Sequence, residues 1–444
     1  MRFFGRRKMF DVDTGDELEL DSGEMLLVGD KIGEGGQGTV FKAELNGKEY
    51  ALKWYHANAV RNPDEFYENL SRNIRDGSPS DKFLWPLHVT KKKGGRFGYV
   101  MGLKPEGYHG FSEFLCARVR FASLGAVINA ALNITNAFRD LHRKGYSYQD
   151  LNDGNFFIDP KSGKVLICDN DNVAPYGVNL GIAGKARYMA PEVARRISLP
   201  DNHTDRFSLA VVLFELLFLN HPLEGKKTLV PCMTEELELE FYAKKPVFIY
   251  DADDDSNRPD PHVHVNVSKL WSLYPGFIRE KFIRSFSEKA LNASDLDAAR
   301  SSRLMDSEWQ TAFVNLRSCL VRCACSEETI IDPASDSQCF NCKSVIPKPM
   351  MLSIGKYNVP LFPGVKLCEC HVRAASDDYG SIKGEITRHP DKPSLWGLRN
   401  LDDKPWSITL IDGTLTELQP GRNMQIGRIA QVDFDSETKG VIIK

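Results

Sequence analysis

The sequence predicts an α+β fold in two lobes, followed by a cysteine-rich joint and a small all-β module. Three observations lead there. Short β-type runs separated by Gly and Asn fill residues 25 to about 103. Helical patterning then dominates from Phe111 to about Leu316, and strands followed by helices mark an α+β unit. Finally, seven of the ten cysteines lie between Cys319 and Cys370, where the chain changes character.

In chain order, residues 1–24 form a polar lead-in in which Glu17-Leu18-Glu19-Leu20 alternates like a brief strand. Leu26–Val28, Thr39–Ala43, Tyr50–Tyr55 and Tyr99–Leu103 read as strands, interrupted by a helix opening at Pro63-Asp64, with Pro suited to a first turn. Phe121–His142 has the spacing of a buried helix, and Ser208–Leu219 is apolar nearly all round, as expected at a domain centre. Residues 226–268, with Asp251-Ala-Asp-Asp-Asp and several prolines, read as a solvated excursion. The predicted units are a lead-in at 1–24, the two-lobed domain at 25–316, a zinc-ribbon-like joint at 317–348 and an all-β module at 352–444.

At roughly 150 residues per domain, 444 residues suit about three units, and 42% hydrophobic residues exclude wholesale disorder. With 57 basic against 60 acidic residues the net charge is −3, which argues against a nucleic-acid partner. The longest apolar run, Leu209–Leu219, is too short to cross a bilayer and carries Glu215. The basic N-terminus (MRFFGRRKMF) has no apolar stretch behind it, so the expectation is a soluble, cytoplasmic chain with no membrane partner.

Residues 31–40 read KIGEGGQGTV, with Gly33, Gly35 and Gly38 in a G-x-G-x-x-G pattern. Such glycines let backbone N–H groups approach a polyphosphate. The same string opens dinucleotide-binding folds, but there a helix follows at once. Here Thr39–Ala43 continues as a strand, turns at Asn46-Gly47, and enters Tyr50-Ala51-Leu52-Lys53. Further on come Tyr148-Gln149-Asp150-Leu151-Asn152-Asp153-Gly154-Asn155, then Val165–Asp171 ending Asp169-Asn170-Asp171. Arg187–Glu192 (with Ala190-Pro191-Glu192), Thr204–Leu209 and His221-Pro222-Leu223-Glu224-Gly225 follow.

Taken in this order, these segments resemble the protein kinase family over about residues 25–316, in particular bacterial-type Ser/Thr kinases. The resemblance implies a bilobal kinase fold and ATP- and Mg²⁺- (or Mn²⁺-) dependent transfer of the γ-phosphoryl group to Ser or Thr of a protein. By the same resemblance Lys53 neutralises the α/β-phosphates, with Glu68, or else Glu65, as its acidic partner. Asn155 and Asp169 hold the metal with oxygen ligands, and Asp150 takes or orients the hydroxyl proton. Val40, Ala51, Met101 as gatekeeper and Leu103 in the hinge 102–105 face the adenine. Asp205 anchors the catalytic loop, and Arg303 is the expected buried partner of Glu192. A small-molecule kinase on the same fold and a nucleotide-binding scaffold without turnover are the alternatives.

Three departures from the family pattern carry expectations of their own. Gln149 replaces the Arg that pairs with a phosphorylated activation loop, and Asp169–Glu192 contains no Ser or Thr, only Tyr176 and Tyr188. Activation-segment Ser/Thr phosphorylation is therefore not expected to switch the protein on. Asn152 stands where a phosphate-touching Lys is usual and Lys185 where a Thr is usual, so the two are expected to have exchanged roles. Asn170-Asp171 replaces Phe-Gly, with Asp171 expected as a second carboxylate near the metals.

Cys323-Ala-Cys325 and Cys339-Phe-Asn-Cys342 form two close pairs suited to a tetrahedral structural Zn²⁺ site, with Cys319 as an alternative member. Cys368-Glu-Cys370-His371 is a second candidate. The tail, with Gly421-Arg422-Asn423 and Gly427-Arg428, loosely resembles a forkhead-associated phosphothreonine-reading module. The whole architecture resembles stress-associated bacterial kinases linked to a von Willebrand factor A-type protein and a metal-dependent phosphatase.

Overall fold

The computed structural model describes residues 11–181 and 184–443; the basic start of the lead-in, residues 1–10, lies outside them. The first lobe is a six-stranded antiparallel sheet ordered β1-β2-β3-β4-β6-β5. Its strands are β1 (Glu17–Glu19), β2 (Met25–Glu34), β3 (Gly38–Leu45), β4 (Lys48–Tyr55), β5 (Pro86–Val89) and β6 (Gly98–Met101). Asn46 and Gly47 both have positive φ, 53° and 75°, the turn that matches strand twist in a two-residue β3–β4 hairpin. Helix α1 (Pro63–Asp76) starts on Pro63 and packs on this sheet through Phe66, Asn69, Leu70 and Asn73.

The second lobe is helical. Ahead of its core lies the short α2 (Phe111–Leu115). Then α3 (Leu124–Arg143) begins where Ser123 Oγ accepts from Ala126 N at 3.0 Å, satisfying a first-turn donor. After α4 (Pro191–Ala194), the central α5 (Asn202–Phe218) is capped by Asp201, whose Oδ1 accepts from the N–H groups of His203 and Thr204. From Phe207 to Phe218 every residue of α5 is buried, as its unbroken apolar run requires. Between the lobes, strands Phe156–Ile158 and Val165–Ile167 form a hairpin whose open end, where Phe156 pairs with Ile167, carries both the catalytic-loop segment and Asp169.

The excursion at 226–268 is more structured than the sequence predicts. It holds a helix at Glu235–Leu239, a π-helical turn at Glu240–Lys244 and a helix at Val265–Leu270. Tyr242, Phe248, Ile249 and Val267 are buried in the core of this lobe. Only the acidic turn behaves as expected: Asp251 Oδ1 accepts from the backbone N–H groups of Asp253 and Asp254 on the surface.

Helix Asp306–Ser318 leads into two short hairpins, Leu320–Arg322 with Glu328–Ile330 and Ser337–Gln338 with Val345–Ile346. The tail forms a six-stranded and a four-stranded antiparallel sheet, the all-β content the sequence predicts. One continuous apolar cluster runs from the second lobe through the hairpins into both tail sheets. Polar contacts add to it: Arg139 of α3 donates to Asp377 Oδ1 at 3.0 Å and to Tyr379 Oη at 3.1 Å. Among the described residues no helix is long and apolar enough to cross a membrane.

Candidate active site

The β2–β3 hairpin places Gly33, Gly35 and Gly38 at the roof of the interlobe cleft. A β-carbon on Gly38 would sit 2.5 Å from the Trp54 carbonyl oxygen, so the strand pairing itself demands glycine there. At Gly35 a β-carbon would meet nothing, which leaves that turn open to an approaching ligand. Val40, Ala51, Met101 and Leu103 join one apolar cluster on the underside of the sheet, so the predicted adenine-facing set is brought together.

Lys53 sits in the middle of β4, buried beneath Tyr99 of β6. Its Nζ donates to Asp171 Oδ2 at 2.8 Å, to Asp169 Oδ1 at 3.3 Å and to Gln37 Oε1 at 3.2 Å. Burial opposes the lysine's charge, but Asp171 and Asp169 outweigh it and raise its pKa above the usual value. The expected helix partner is absent. Glu65 and Glu68 are both exposed, and Glu65 Oε2 accepts from Asn62 Nδ2 at the helix start. The reason is helical phase: Phe66, Leu70 and Asn73 turn inward at spacings of four and three, leaving 65 and 68 on the outer side. The inward asparagines instead tie the helix to the chain beyond Asp171, Asn69 Nδ2 and Asn73 Nδ2 each donating to Val173 O at 2.8 Å.

Asp171 is likewise not a free carboxylate beside the metal position. It is 0% exposed, and its Oδ2 also accepts from Tyr55 OH at 2.6 Å. Asp169, whose side chain is 45% exposed, is the acid that reaches the cleft. Both Asp169 (φ 55°) and Gln149 (φ 72°) hold left-handed backbone conformations, a strain that folds retain where they need a side chain aimed.

The catalytic loop hangs from α5. Asp205 accepts from the backbone N–H groups of Tyr148 (2.6 Å) and Gln149 (3.0 Å), as the family resemblance implies. The His142 ring lies between Asp205 and Asp306, with nitrogen–oxygen distances of 3.2 and 2.8 Å. Burial opposes its charge, but the two carboxylates prevail and raise its pKa to about 9. Tyr148 is fully buried and donates its hydroxyl to the Cys168 carbonyl.

Asp150 faces the cleft, where a cavity of about 390 Å³ is lined by Gln37, Phe66, Asp150, Leu180, Gly184 and Lys185 among others. Burial pushes its pKa up to about 6, against the hydrogen bond that Asn152 Nδ2 donates to its Oδ1 at 3.1 Å. Gly184 has a φ of 77°, and a β-carbon there would lie 3.2 Å from Asp150 Oδ1, so the activation segment passes the acid only as glycine. Asn155 is buried and its Oδ1 accepts from Asn152 N at 2.9 Å. Lys185, with its side chain 54% exposed, pairs with Asp153 Oδ1 at 2.9 Å. Lys185 and Asn152 thus lie beside the same loop: a β-carbon on Gly154 would sit 3.1 Å from Asn152 Oδ1 and 3.5 Å from Lys185 Nζ.

Gln149 does with neutral groups what sequence reasoning left undone. Its Nε2 donates to Val178 O at 2.6 Å and to Ser147 Oγ at 3.0 Å, while Oε1 accepts from Asn179 Nδ2 at 3.1 Å. Of the segment's two tyrosines, Tyr188 is buried and donates to Glu215 Oε2 at 2.6 Å, whereas Tyr176 is exposed. Glu192 and Arg303 form the expected two-pronged pair at 2.7 and 2.8 Å, each side chain 1% exposed.

At the joint, the Sγ atoms of Cys323, Cys325, Cys339 and Cys342 all lie within 4.8 Å of one another, one pair in the turn of each hairpin. Cys323 to Cys342 is 3.7 Å and Cys325 to Cys339 is 3.6 Å. Sulfurs held tetrahedrally at a Zn–S distance of about 2.3 Å are roughly 3.8 Å apart, close to these two separations, so the donor set suits a metal ion. The Ser344 hydroxyl and amide hold the Cys342 thiol down to about 6. Cys319 is buried outside this group, and Cys368, Cys370 and His371 do not form a second one among the described residues. His371 Nδ1 accepts from Cys368 N at 2.9 Å, and Arg317 donates to Cys368 Sγ at 3.2 Å. In the tail, Arg422 and Arg428 are exposed and flank the strand Asn423–Gln425.

Fold and cleft together are those of a protein kinase, and the chain belongs to that family: residues 26–261, more than half of it, match the protein kinase domain. It is 28% identical over 209 residues to serine/threonine-protein kinase Sgk1 of Xenopus tropicalis, covering 44% of this chain and 48% of that protein. It is 24% identical over 349 residues to protein kinase YegI of Escherichia coli (strain K12), covering 74% of this chain and 50% of that one. The chain spans about half the length of these curated relatives.

Proposed function

We propose that the chain is a Ser/Thr protein kinase that uses ATP with Mg²⁺ or Mn²⁺ and needs no phosphorylation of its activation segment. The observation that carries this is that Lys53 meets both Asp169 and Gln37, and that Gln37 lines one cavity with Asp150 beside the glycine-rich hairpin. Phosphoryl transfer asks for neutralised phosphate charge and a hydroxyl held in line, and these side chains are the types that supply both. Lys53 meets the α/β-phosphates. Asp169 and Asn155 offer the oxygen ligands a hard divalent cation takes, and that cation would neutralise the transferring group. Asp150 orients the acceptor hydroxyl and takes up its proton. With Asn152 bonded to Asp150 and Lys185 lining the same cavity as that acid, Lys185 supplies the positive charge near the γ-phosphate that Asn152 lacks.

The same reading makes the four-cysteine group a structural Zn²⁺ site that stiffens the two hairpins, since metal binding there adds folding energy. The surface at Ala190-Pro191-Glu192, fixed by Arg303, is a platform for a protein rather than a small metabolite. A von Willebrand factor A-type protein and a metal-dependent phosphatase are the associated partners this architecture implies, and the exposed Arg422 and Arg428 are where a phosphothreonine would be read. The test is transfer of labelled γ-phosphate by the purified chain with Mg²⁺ or Mn²⁺. Label on Ser/Thr of protein that disappears in Asp150→Ala is expected. ATP binding without transfer would favour the scaffold, and transfer only to a metabolite would favour the small-molecule kinase.

A further inference from the structure

Protein kinases hold the phosphate-binding lysine with a glutamate on the helix beside it, which lets helix position govern activity. This chain has no acid on the inward face of α1, whose buried positions are Phe66, Asn69, Leu70 and Asn73. The carboxylate that meets Lys53 at 2.8 Å comes instead from Asp171, two residues beyond Asp169. Tyr55, on the same strand as Lys53 and two residues along it, donates to the same Asp171 oxygen at 2.6 Å. Lysine and tyrosine therefore clamp one carboxylate oxygen against the strand, with all three groups buried.

We propose that Asp171 is the positioning residue for Lys53, replacing the helix glutamate. The inference rests on the phosphoryl-transfer reading for its meaning but on the ion pair for its evidence. A glycine at this position, usual in the family, has no side chain to offer; an aspartate at a fully enclosed site next to a buried lysine has one use, as a counter-ion. Two consequences follow from where the carboxylate now sits. The pair joins β4 to the segment that also carries Asp169, so the lysine and the metal-side acid are aligned by one short stretch of chain. And α1 is held by neutral amides, Asn69 and Asn73 on Val173 O, so its displacement would not by itself remove the lysine's partner.

A double-mutant cycle in thermal unfolding tests the pair without any reference to catalysis. Lys53→Met and Asp171→Asn each leave a buried partner behind. The expected result is that the double variant melts roughly 5 °C or more above the sum of the single losses. Lys53→Met with Glu68→Gln, and with Glu65→Gln, should be additive. In turnover, Asp171→Asn should lower kcat by about 100-fold or more with a much smaller change in KM for ATP, and Asp171→Glu should recover part of the loss. Glu65→Gln and Glu68→Gln should stay within about twofold of the parent. Additivity of Lys53 with Asp171, or coupling of Lys53 to Glu68, would overturn the assignment. A kcat for Asp171→Asn equal to the parent's would also overturn it. A parent protein that transfers no phosphate would refute the kinase reading, and the unfolding cycle would still decide the pair.

Discussion

Replacing Gln149 by alanine removes the two contacts by which it holds the activation segment against the catalytic loop, a donor to Val178 O and an acceptor for Asn179 Nδ2. A buried hydrogen bond is worth about 1 kcal/mol net, so the two together amount to about 2 kcal/mol. That corresponds to a shift of roughly 30-fold toward a detached segment. The backbone N–H of Tyr176, bonded across to Gly145 O at 2.9 Å, reports on it directly. Its hydrogen exchange should accelerate in Gln149→Ala by about the same factor, with a matching fall in phosphoryl transfer. Gln149→Glu, nearly the same shape, places an acceptor-only anion against the Val178 carbonyl and should cost more than alanine. The contacts are neutral, so added salt should leave the parent's exchange unchanged. Exchange within twofold of the parent in both variants would refute the reasoning.

Further outcomes are expected elsewhere in the molecule. Arg303→Met strands the buried Glu192 carboxylate, which costs about 3–5 kcal/mol and should lower the melting temperature by roughly 6–15 °C, read by calorimetry. Metal analysis should find one Zn²⁺ per chain in the parent and little in Cys342→Ser, with proteolysis opening the hairpins at 320–346 in the variant. His142, raised to about 9 from 6.5, lends stability that is complete below pH 6.5 and is lost as the pH climbs through 9. The loss is about 3 kcal/mol, and melts between pH 6 and 9.5 should show it in the parent but flattened in His142→Asn.

The strands of the first lobe other than β5, which opens on Pro86, together with α1, α3, α5 and the order of the catalytic segments, were legible because each rests on a local signal: a turn pair, a cap, a period or a glycine pattern. The Asn46-Gly47 turn and the Pro63 start are examples. Glu192 with Arg303, and Asp205 beneath the catalytic loop, were legible only through the family resemblance, being 111 and 57 residues from their partners. Glu68 failed because an acid at about the right distance was chosen without its helical phase; the inward run Phe66, Leu70, Asn73 was there to be read. Asp171 and Gln149 appeared only as departures, since nothing local says that an aspartate will meet a lysine 118 residues earlier. The excursion at 226–268 misled because its apolar residues, Tyr242, Phe248 and Ile249, are too sparse for a period yet all find the core.

The most direct test of an active kinase whose segment is held without phosphate is single-turnover transfer by protein stripped of all phosphate and checked by mass. The expected result is a transfer rate equal to that of untreated protein, unchanged again in Tyr176→Phe, the segment's one exposed hydroxyl. A stripped protein that is inactive until Tyr176 is phosphorylated would contradict the account.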